Sequence, residues 1–242
     1  MRVLLYGRFG IHPGEVEELI RVHGLEIITP PVPPDSPGVA PDVVVTYGGD
    51  GTLLGSERDY PGIPKLPLRN SQICHLCSAL PNERMLELLA QNKLHTRYLM
   101  KLEAVTGKQK ITALNDIILA HKFPNTAIRF RLASPDPLPR YHAAPTDLIG
   151  DGLVIATPFG STGYFYSITH KTFSGGLALA FNNLHNSRQK MQLFPETKTV
   201  SISLTRGPAV LAADNDPNLL DLPESAEIQI KKSKQVAKIL TP

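Results

Sequence analysis

The sequence lacks the features that mark several large classes of protein. No stretch of its 242 residues approaches the roughly 18 consecutive apolar residues that a membrane-spanning helix needs. The charge is nearly balanced, with 25 basic and 22 acidic residues, and the basic side chains form no block that would bind nucleic acid. Residues 1–7 are typical of a first β-strand and not of a signal peptide. We therefore expect a cytoplasmic protein that binds no membrane and no nucleic acid, with a slight positive excess that suits a small anionic ligand.

Cysteine is also scarce. The two cysteines, Cys74 and Cys77, have the spacing of half a zinc site or of a redox pair. No second pair is present, so a closed zinc site would have to recruit scattered histidines such as His75, His95 or His121. A thioredoxin-like pair would follow a strand, which the preceding residues do not clearly show. We expect two buried thiols and no metal ion, and the zinc and redox alternatives stay open.

What the sequence does contain is a glycine-rich turn at residues 47–52, directly after the apolar, β-branched run 43–46. Glycines at the end of a strand can adopt positive φ and let amides approach a ligand, while the amides that open the next helix attract negative charge. The turn therefore fits a phosphate group. Asp50 would repel a phosphate unless it handles a proton, orients a hydroxyl or works through a metal ion, so it is the candidate catalytic residue. The alternative is an ordinary turn in which Asp50 caps the helix.

A second motif covers residues 150–164, where a predicted strand runs into a turn rich in glycine and hydroxyl residues. The backbone amides and the hydroxyl groups of this turn could hydrogen-bond to both edges of a polar ligand. Tyr164, which closes the motif, could stack on a ring or hydrogen-bond to it. Alone, the motif predicts only a loop with many polar groups.

Together, in this order and about a hundred residues apart, the two motifs resemble the signatures of the NAD kinase family. That family carries a Gly-Gly-Asp-Gly-Thr loop, a short Asn-Glu motif and a Gly-Asp-Gly segment that ends in Thr-Pro-Thr-Gly-Ser-Thr-Ala-Tyr. Asn115 and Asp116 stand where the family has Asn-Glu. Residues 95–105 resemble its strand after the first domain, and residues 184–188 resemble its His-Ser-Leu stretch. The resemblance covers most of the chain.

The periodicity of the sequence changes near residue 93 and predicts two domains. Before this point strand-like and helix-like runs alternate, which is typical of a parallel α/β layer. After it, short strand-like runs dominate. We predict an α/β domain with a Rossmann-like parallel sheet at residues 1–93 and a β-rich, sandwich-like domain at residues 94–242, with NAD bound in the cleft between them.

These domains rest on the following predicted elements. Helices are expected at 13–23, 82–91 and 162–171, and residues 30–37, rich in proline, are expected to form an exposed loop. Strands are expected at 2–6, 25–29, 43–46, 99–106, 110–113, 116–121, 127–133, 153–157, 199–204, 209–213, 227–231 and 235–240.

The resemblance implies that the protein transfers the γ-phosphate of ATP, or a phosphate of polyphosphate, to the 2′-hydroxyl of the adenosine ribose of NAD, with Mg²⁺ or another divalent cation. Such reactions depend on placing the acceptor in line with the phosphate and on spreading negative charge onto amides and Mg²⁺. By resemblance, Asp50 accepts or orients the hydroxyl proton, and the protein forms dimers or tetramers. The residues expected to bind the nucleotides are Gly48, Gly49, Gly51, Thr52, Asn115, Asp116, Asp151, Thr157, Ser161, Thr162 and Tyr164.

Two other functions stay open. A lipid or sugar kinase of the wider superfamily would share residues 48–52 but would not need residues 150–164. A nucleotide-binding protein without turnover is suggested by departures from the family pattern, which are Asp116 for Glu, Phe159 for Thr, Gly163 for Ala, and residues 72–77 in place of a Gly-Phe-Leu turn. The intact Asp50 favours catalysis. Asp214 stands near a family Asp-Gly, but Asn215 replaces that glycine, and we assign Asp214 no role.

Overall fold

The computed structural model describes residues 1–7, 14–28, 40–133 and 147–242. This part of the chain divides into two compact units. Unit 1 comprises Met1–Leu99 and Gln235–Pro242, and unit 2 comprises Met100–Lys234. The segment 30–37, expected to be an exposed loop, lies outside the described residues. Among the described helices, none is long and apolar enough to cross a membrane.

Unit 1 contains the strands β1 (Arg2–Gly7), β2 (Glu26–Ile28), β3 (Val43–Gly48) and β4 (Lys65–Arg69) and the helices α1 (Gly14–Val22), α2 (Asp50–Asp59) and α3 (Asn82–Ala90). The strands pair in the order β2-β1-β3-β4, and each neighbouring pair is parallel. Parallel neighbours need crossover connections, and α1 and α2 supply them. The predicted parallel α/β layer is therefore confirmed.

The two strands β3 and β4 are buried along most of their length. Strands of a parallel sheet that are covered on both faces read as continuous apolar runs, which is why β3 is easy to recognise in the sequence. The expectation that no clear strand precedes the cysteines is wrong, because β4 does so. Its Pro67 cannot donate to the ladder and its Lys65 is charged, so local propensity alone does not indicate a strand there.

Unit 2 holds most of the remaining elements, and the first residues of β5 and the last of β16 belong to unit 1. The elements are β5 (His95–Thr106), β6 (Gln109–Ala113), β7 (Asp116–His121), β8 (Ile128–Ala133), β9 (Leu148–Gly150), β10 (Gly152–Ala156), α4 (Tyr164–Thr169), β11 (Leu177–Asn182), β12 (Met191–Phe194), β13 (Val200–Arg206), β14 (Ala209–Ala213), β15 (Leu220–Leu222) and β16 (Glu227–Thr241). An antiparallel sheet has the order β12-β11-β10-β7-β14-β15. Antiparallel pairing also joins β16 to β13, β13 to β8, β8 to β9 and β5 to β6.

A large apolar cluster in unit 2 receives side chains from both sets of strands. Alternate residues of the central strands enter it, among them Ile117 and Leu119 of β7 and Leu153 and Ile155 of β10. Ile202 of β13 meets them from the other set of strands, and all five side chains are fully buried. Two antiparallel layers with alternating residues between them form a β-sandwich. The predicted β-rich, sandwich-like domain is confirmed.

Some predicted elements differ in extent. The strands expected at 227–231 and 235–240 are one continuous strand, β16, so the predicted break is wrong. Ser233 is buried and no glycine or proline interrupts the strand, but the buried positions change from even to odd numbers between Ile230 and Ser233, so the sequence pattern breaks where the strand does not. The helix expected at 162–171 is shorter, since a 3₁₀ turn (Gly160–Thr162) precedes α4 and His170, with φ of 54°, follows it in the left-handed conformation.

A buried ion pair joins α2 to β4 in unit 1. The Lys65 ammonium group donates to the Glu57 carboxylate and to the carbonyl oxygen of Tyr60. The side chains of Lys65 and Glu57 are 0% and 2% exposed, respectively. A charge buried this deeply depends on its partner, because neither group can turn to water.

We expect Lys65→Met to lower the free energy of unfolding by about 3 to 5 kcal/mol, because it leaves the Glu57 carboxylate buried without its partner. The double variant Lys65→Met/Glu57→Leu should recover much of this loss. Urea unfolding followed by circular dichroism measures both changes. The matched control is Lys232→Met, which removes an exposed ion pair with Glu196 and should cost no more than about 1 kcal/mol. Equal losses in Lys65→Met and in the control would contradict a stabilising role for the buried pair.

Candidate functional site

The first glycine-rich motif forms the turn between β3 and α2, as the sequence predicts. Gly49 occupies the N-cap position of α2 and Asp50 is the first residue of the helix. The alternative in which Asp50 caps the helix is therefore wrong. The carboxylate of Asp50 is left to interact with groups outside the helix.

Close packing explains the glycines of this turn. A Cβ atom on Gly48 would lie 2.2 Å from the Thr52 hydroxyl oxygen, and one on Gly49 would lie 2.7 Å from the carbonyl oxygen of Ile73. Both distances are far below van der Waals contact, so neither position accepts a side chain. The expectation of positive φ is wrong at Gly49, where φ is −116°. The backbone at Gly48 and Gly49 thus packs closely against its own neighbours. Gly51, at the start of the helix, is exposed.

Asp50 contacts the loop that connects β4 to α3. The main-chain N–H of His75 donates to Oδ1 of Asp50 at 2.9 Å and to Oδ2 at 3.2 Å. The imidazole Nε2 of His75 lies 4.0 Å from Oδ2, and the Asp50 side chain is 20% exposed. The carboxylate is thus oriented by an amide and still open to a ligand.

The two cysteines of this loop form a disulfide, which overturns the expectation of two thiols. Their Cα atoms lie 5.4 Å apart, at a sequence separation of 3, and this distance is within the range of protein disulfides. Cys74 is 8% exposed and Cys77 is half-buried. The spacing of the two residues fits both a thiol pair and a disulfide, so only the fold of the loop distinguishes them.

In unit 2 the structure brings the Asn115–Asp116 pair and the second glycine-rich motif together. The Thr157 hydroxyl donates to the carbonyl oxygen of Leu114 at 2.7 Å, and the Thr157 N–H donates to the carbonyl oxygen of Asn115 at 2.8 Å. The Gly160 N–H in turn donates to the Thr157 hydroxyl oxygen at 3.0 Å. A Cβ atom on Gly160 would lie 2.2 Å from the carbonyl oxygen of Asn115, so this glycine permits the contact. The Asn115–Asp116 pair and the second glycine-rich motif therefore form one structural unit.

The side-chain oxygen of Asn115 is a candidate ligand contact. Its Oδ1 atom is buried and accepts no hydrogen bond within the described ranges. Buried polar atoms without a partner are rare, and they are explained by an absent water, ion or ligand. The Nδ2 atom of the same amide lies beside Gly163, 3.6 Å from where a Cβ atom would stand. The amide therefore presents an acceptor and a donor at this turn.

Asp214, to which we assigned no role, holds the Asn115 turn in place. Its carboxylate accepts the main-chain N–H groups of Leu114, Asn115 and Asp116 at 2.8, 2.7 and 3.1 Å, respectively. Its own N–H donates to the carbonyl oxygen of Asp116 at 2.9 Å. Asp214 follows β14, which pairs with β7, so the pairing of two strands distant in the sequence brings it to the turn. A carboxylate directly after a predicted strand was the available signal, and it is too common to identify a partner.

Burial dominates the electrostatics of the two aspartates. Asp116 is 4% exposed, and burial, followed by the nearby Asp214 carboxylate, raises its pKa from 3.8 to about 7. Burial also raises the pKa of Asp214, although its three amide donors and Lys101 act in the opposite direction. The raised pKa favours the protonated form of the Asp116 carboxyl, which can donate a hydrogen bond.

The other predicted site residues fall into two groups. Thr157 and Ser161 are buried, and the Ser161 hydroxyl donates to the carbonyl oxygen of Pro158 at 2.7 Å, so both hydroxyls already have partners within the chain. Asp151, Thr162 and Tyr164 are partly or fully exposed. The Tyr164 hydroxyl accepts from the Asn182 side chain at 3.1 Å, beside a pocket of about 570 Å³ that both residues line. The Asp151 carboxylate accepts from the Asn183 side chain at 2.7 Å.

Comparisons with known proteins agree with these observations. The family model described as ATP-NAD kinase C-terminal domain matches residues 141–241. An NAD kinase of Sulfurisphaera tokodaii is 32% identical over 211 residues, which cover 83% of this chain and 81% of the relative. An NAD kinase of Methanospirillum hungatei is 28% identical over 260 aligned residues, which cover 98% of this chain and 93% of the relative.

Solved structures have the same fold. A crystal structure of an NAD kinase from Archaeoglobus fulgidus in complex with ATP superposes with a TM-score of 0.81 at 20% identity, covering 100% of this chain and 94% of that chain. The structure of yeast NADH kinase complexed with NADH gives a TM-score of 0.83 at 17% identity, covering 100% of this chain and 83% of that chain.

The raised pKa of Asp116 predicts a stability that declines as pH rises. Between about pH 4 and pH 7 the unfolded chain has lost the Asp116 proton while the folded chain retains it, so rising pH favours unfolding until the folded carboxyl ionises as well. Asp116→Asn removes this dependence. The variant should gain stability relative to the native chain as pH rises from 4.5 to 8, on the order of 1 to 4 kcal/mol.

Thermal unfolding at a series of pH values measures this difference. Asp221→Asn, which changes an exposed carboxylate in the same unit, is the control and should give a small difference that does not vary across this range. A difference between Asp116→Asn and the native chain that is constant with pH, or that shrinks as pH rises, would contradict the raised pKa.

Proposed function

The chain belongs to the NAD kinase family, and we propose that it transfers the γ-phosphate of ATP to the 2′-hydroxyl of the adenosine ribose of NAD, producing NADP. The observation that carries the proposal is the buried, unpartnered Oδ1 of Asn115, held in a turn that is hydrogen-bonded to the second glycine-rich motif. An arrangement this constrained suits a specific nucleoside better than a flexible lipid or sugar. Phosphorylation of NAD is accordingly the activity that the site supports best.

In this proposal Asn115 and Asp116 bind the adenosine. An amide side chain can pair with the edge of adenine because it offers a donor and an acceptor together, and the acceptor of Asn115 is the atom that lacks a partner. Asp116 contacts the ribose hydroxyls. Its pKa of about 7 lets the carboxyl either donate to a hydroxyl oxygen or accept from a hydroxyl group. The side chain is shorter than the Glu of the family, and the three amides on Asp214 fix the backbone that carries it.

Asp50 acts on the acceptor hydroxyl. In phosphoryl transfer the protein mainly positions the reactants and stabilises charge, so a carboxylate that accepts or orients the hydroxyl proton is sufficient. The His75 amide orients Asp50, and its side chain is still 20% exposed. Gly48, Gly49, Gly51 and Thr52 form the phosphate-facing turn, where the amides that open α2 favour negative charge.

Mg²⁺ is the expected cation, and it would reach the protein together with ATP. Within the described residues no group of three or more histidine, cysteine or acidic side chains is placed to hold a metal ion. Mg²⁺ is usually bound through one or two carboxylates and the substrate phosphates instead of a full protein cage. When bound, it neutralises charge on the transferring phosphate.

The remaining predicted residues surround the rest of the dinucleotide. We propose that Asp151, Thr162 and Tyr164 contact it directly, whereas Thr157 and Ser161 act through the backbone that they hold. NAD and NADH are both candidate acceptors, and ATP and polyphosphate are both candidate donors. We further propose a cytoplasmic protein that assembles into dimers or tetramers of itself.

An acceptor panel tests the proposed function. Purified protein with Mg²⁺ and ATP is offered NAD, NADH, diacylglycerol or fructose 6-phosphate, and each product is quantified by chromatography. We expect NADP or NADPH to be the major product. Binding of NAD without consumption of ATP would instead support a nucleotide-binding protein without turnover.

Asp50→Asn should lower the rate of NADP formation by a factor on the order of 10² to 10⁴, because it removes the charge that handles the hydroxyl proton. Folding should change little, since Asn has almost the same size. Initial rates and circular dichroism measure the two effects. Asp42→Asn, an exposed carboxylate of the same unit, serves as the control and should retain activity. Near-normal turnover of Asp50→Asn would remove the catalytic assignment.

Tyr164→Ala should weaken NAD binding by about 1 to 3 kcal/mol, because it removes a ring that is 40% exposed beside the pocket and a hydroxyl that holds Asn182. Isothermal titration calorimetry with NAD measures the loss. Tyr166→Ala is the matched control, since Tyr166 lies on the same helix, is 46% exposed and has no proposed contact. If both variants bind NAD as the native chain does, Tyr164 does not contact the ligand.

A further inference from the structure

The disulfide and the proposed catalytic carboxylate belong to one local structure. His75 lies between Cys74 and Cys77, so the ring that the disulfide closes contains the N–H group that donates to Asp50. We propose that the Cys74–Cys77 disulfide positions Asp50 through the His75 amide, so that reduction of the disulfide slows phosphoryl transfer. The inference rests on the proposed function insofar as it takes Asp50 as the catalytic residue.

The part of the loop up to Cys74 is held by contacts with the rest of unit 1. The Arg69 guanidinium donates to the carbonyl oxygen of Cys74 at 3.2 Å, and the carbonyl oxygen of Ile73 packs against Gly49. Cys74 is nearly buried at 8% exposure. Arg69 thereby holds the carbonyl oxygen of the same peptide group whose N–H donates to Asp50, and the disulfide limits how far this group can turn.

The part of the loop after Cys74, residues 75–77, depends on the disulfide. In the described part of the chain, the hydrogen bonds recorded for residues 75–77 are those from the His75 amide to the two oxygens of Asp50. The imidazole is 49% exposed and packs little against the unit. Once the sulfur atoms separate, one shared amide hydrogen bond and the packing of the half-buried Leu76 and Cys77 would have to hold this stretch against its conformational entropy.

The disulfide is poorly suited to a purely stabilising role. It closes a ring with a sequence separation of only 3, and the entropic stabilisation from a disulfide is smallest for the shortest loops. In a reducing compartment, disulfides are uncommon and those that form are mostly catalytic or redox-sensing. A short disulfide beside a proposed catalytic carboxylate fits a redox-sensing role.

The chemistry is a two-electron thiol–disulfide exchange with a dithiol reductant. A thiolate of the reductant attacks Sγ of Cys77, which is the more exposed of the two residues, and the Sγ–Sγ bond breaks to release Cys74 as a thiolate that takes up a proton. The second thiol of the reductant then displaces Cys77 as a thiol. The reductant leaves as a disulfide, and the protein has gained two electrons and two protons.

The test compares the oxidised and dithiothreitol-reduced full chain, with thiol content verified by alkylation and mass spectrometry. We expect kcat to fall by about 10- to 100-fold on reduction, which is the scale of misplacing a reacting group by about 1 Å. KM for NAD should change by less than about threefold, because unit 2 carries the adenosine contacts. Reoxidation should restore kcat, and Cys74→Ser/Cys77→Ser should have the lower kcat with or without dithiothreitol.

Two further measurements separate positioning from a general effect on the fold. Asp50→Ala, already slow, should show no further loss on reduction, because the disulfide acts through the missing carboxylate. Hydrogen exchange of the His75 amide should quicken on reduction in the native chain and should already be quick in oxidised Asp50→Ala. The thermal midpoint reports whether reduction unfolds either protein.

Equal kcat in the two redox states would overturn the inference, as would an equal fall in the native chain and in Asp50→Ala. A fall in kcat that only accompanies unfolding would overturn it too. If no NADP forms in either state, the proposed function fails, and the exchange of the His75 amide alone decides whether the disulfide positions Asp50.

Discussion

Three backbone N–H groups converge on the carboxylate of Asp214, and the shape of the turn at Asn115 depends on them. The turn is held from its other side by Thr157, whose hydroxyl also receives the amide of Gly160. Asp214 and Thr157 both fix this backbone, and the buried side-chain oxygen of Asn115 has no hydrogen-bond partner among the described residues. The arrangement buries Asp116 next to a second carboxylate, which opposes its ionisation. Titratable groups with perturbed pKa values are typical of functional sites.

Unit 1 presents the carboxylate of Asp50 beside the glycine-rich turn at the start of α2. The glycines at positions 48 and 49 are required by close packing, and the same packing brings the Ile73 backbone against the turn. The loop that follows places one amide on Asp50 and closes on itself through a disulfide. The orientation of Asp50 therefore depends on the fold of this loop.

Local patterns in the sequence were sufficient for much of the fold. The strand β7 has the predicted bounds, because its apolar residues alternate or run together between clear turns. The strand β4 was missed since Pro67 and Lys65 oppose a strand locally and only burial in the sheet explains them. Asp214 was missed for a related reason: its donors are about 100 residues away, and no local pattern reports a contact that strand pairing creates. The disulfide likewise could not be predicted without knowing the fold of its loop.

The proposed function requires that this chain phosphorylates one defined hydroxyl of NAD. The most direct measurement is the ³¹P NMR spectrum of the product formed from NAD, ATP and Mg²⁺ by the purified protein, together with the amount of ADP released. We expect one new phosphomonoester resonance, that of a phosphate on the 2′-oxygen of the adenosine ribose. The amount of this product should equal the amount of ADP. A phosphomonoester at another position, or release of ADP without any phosphorylated dinucleotide, would contradict it.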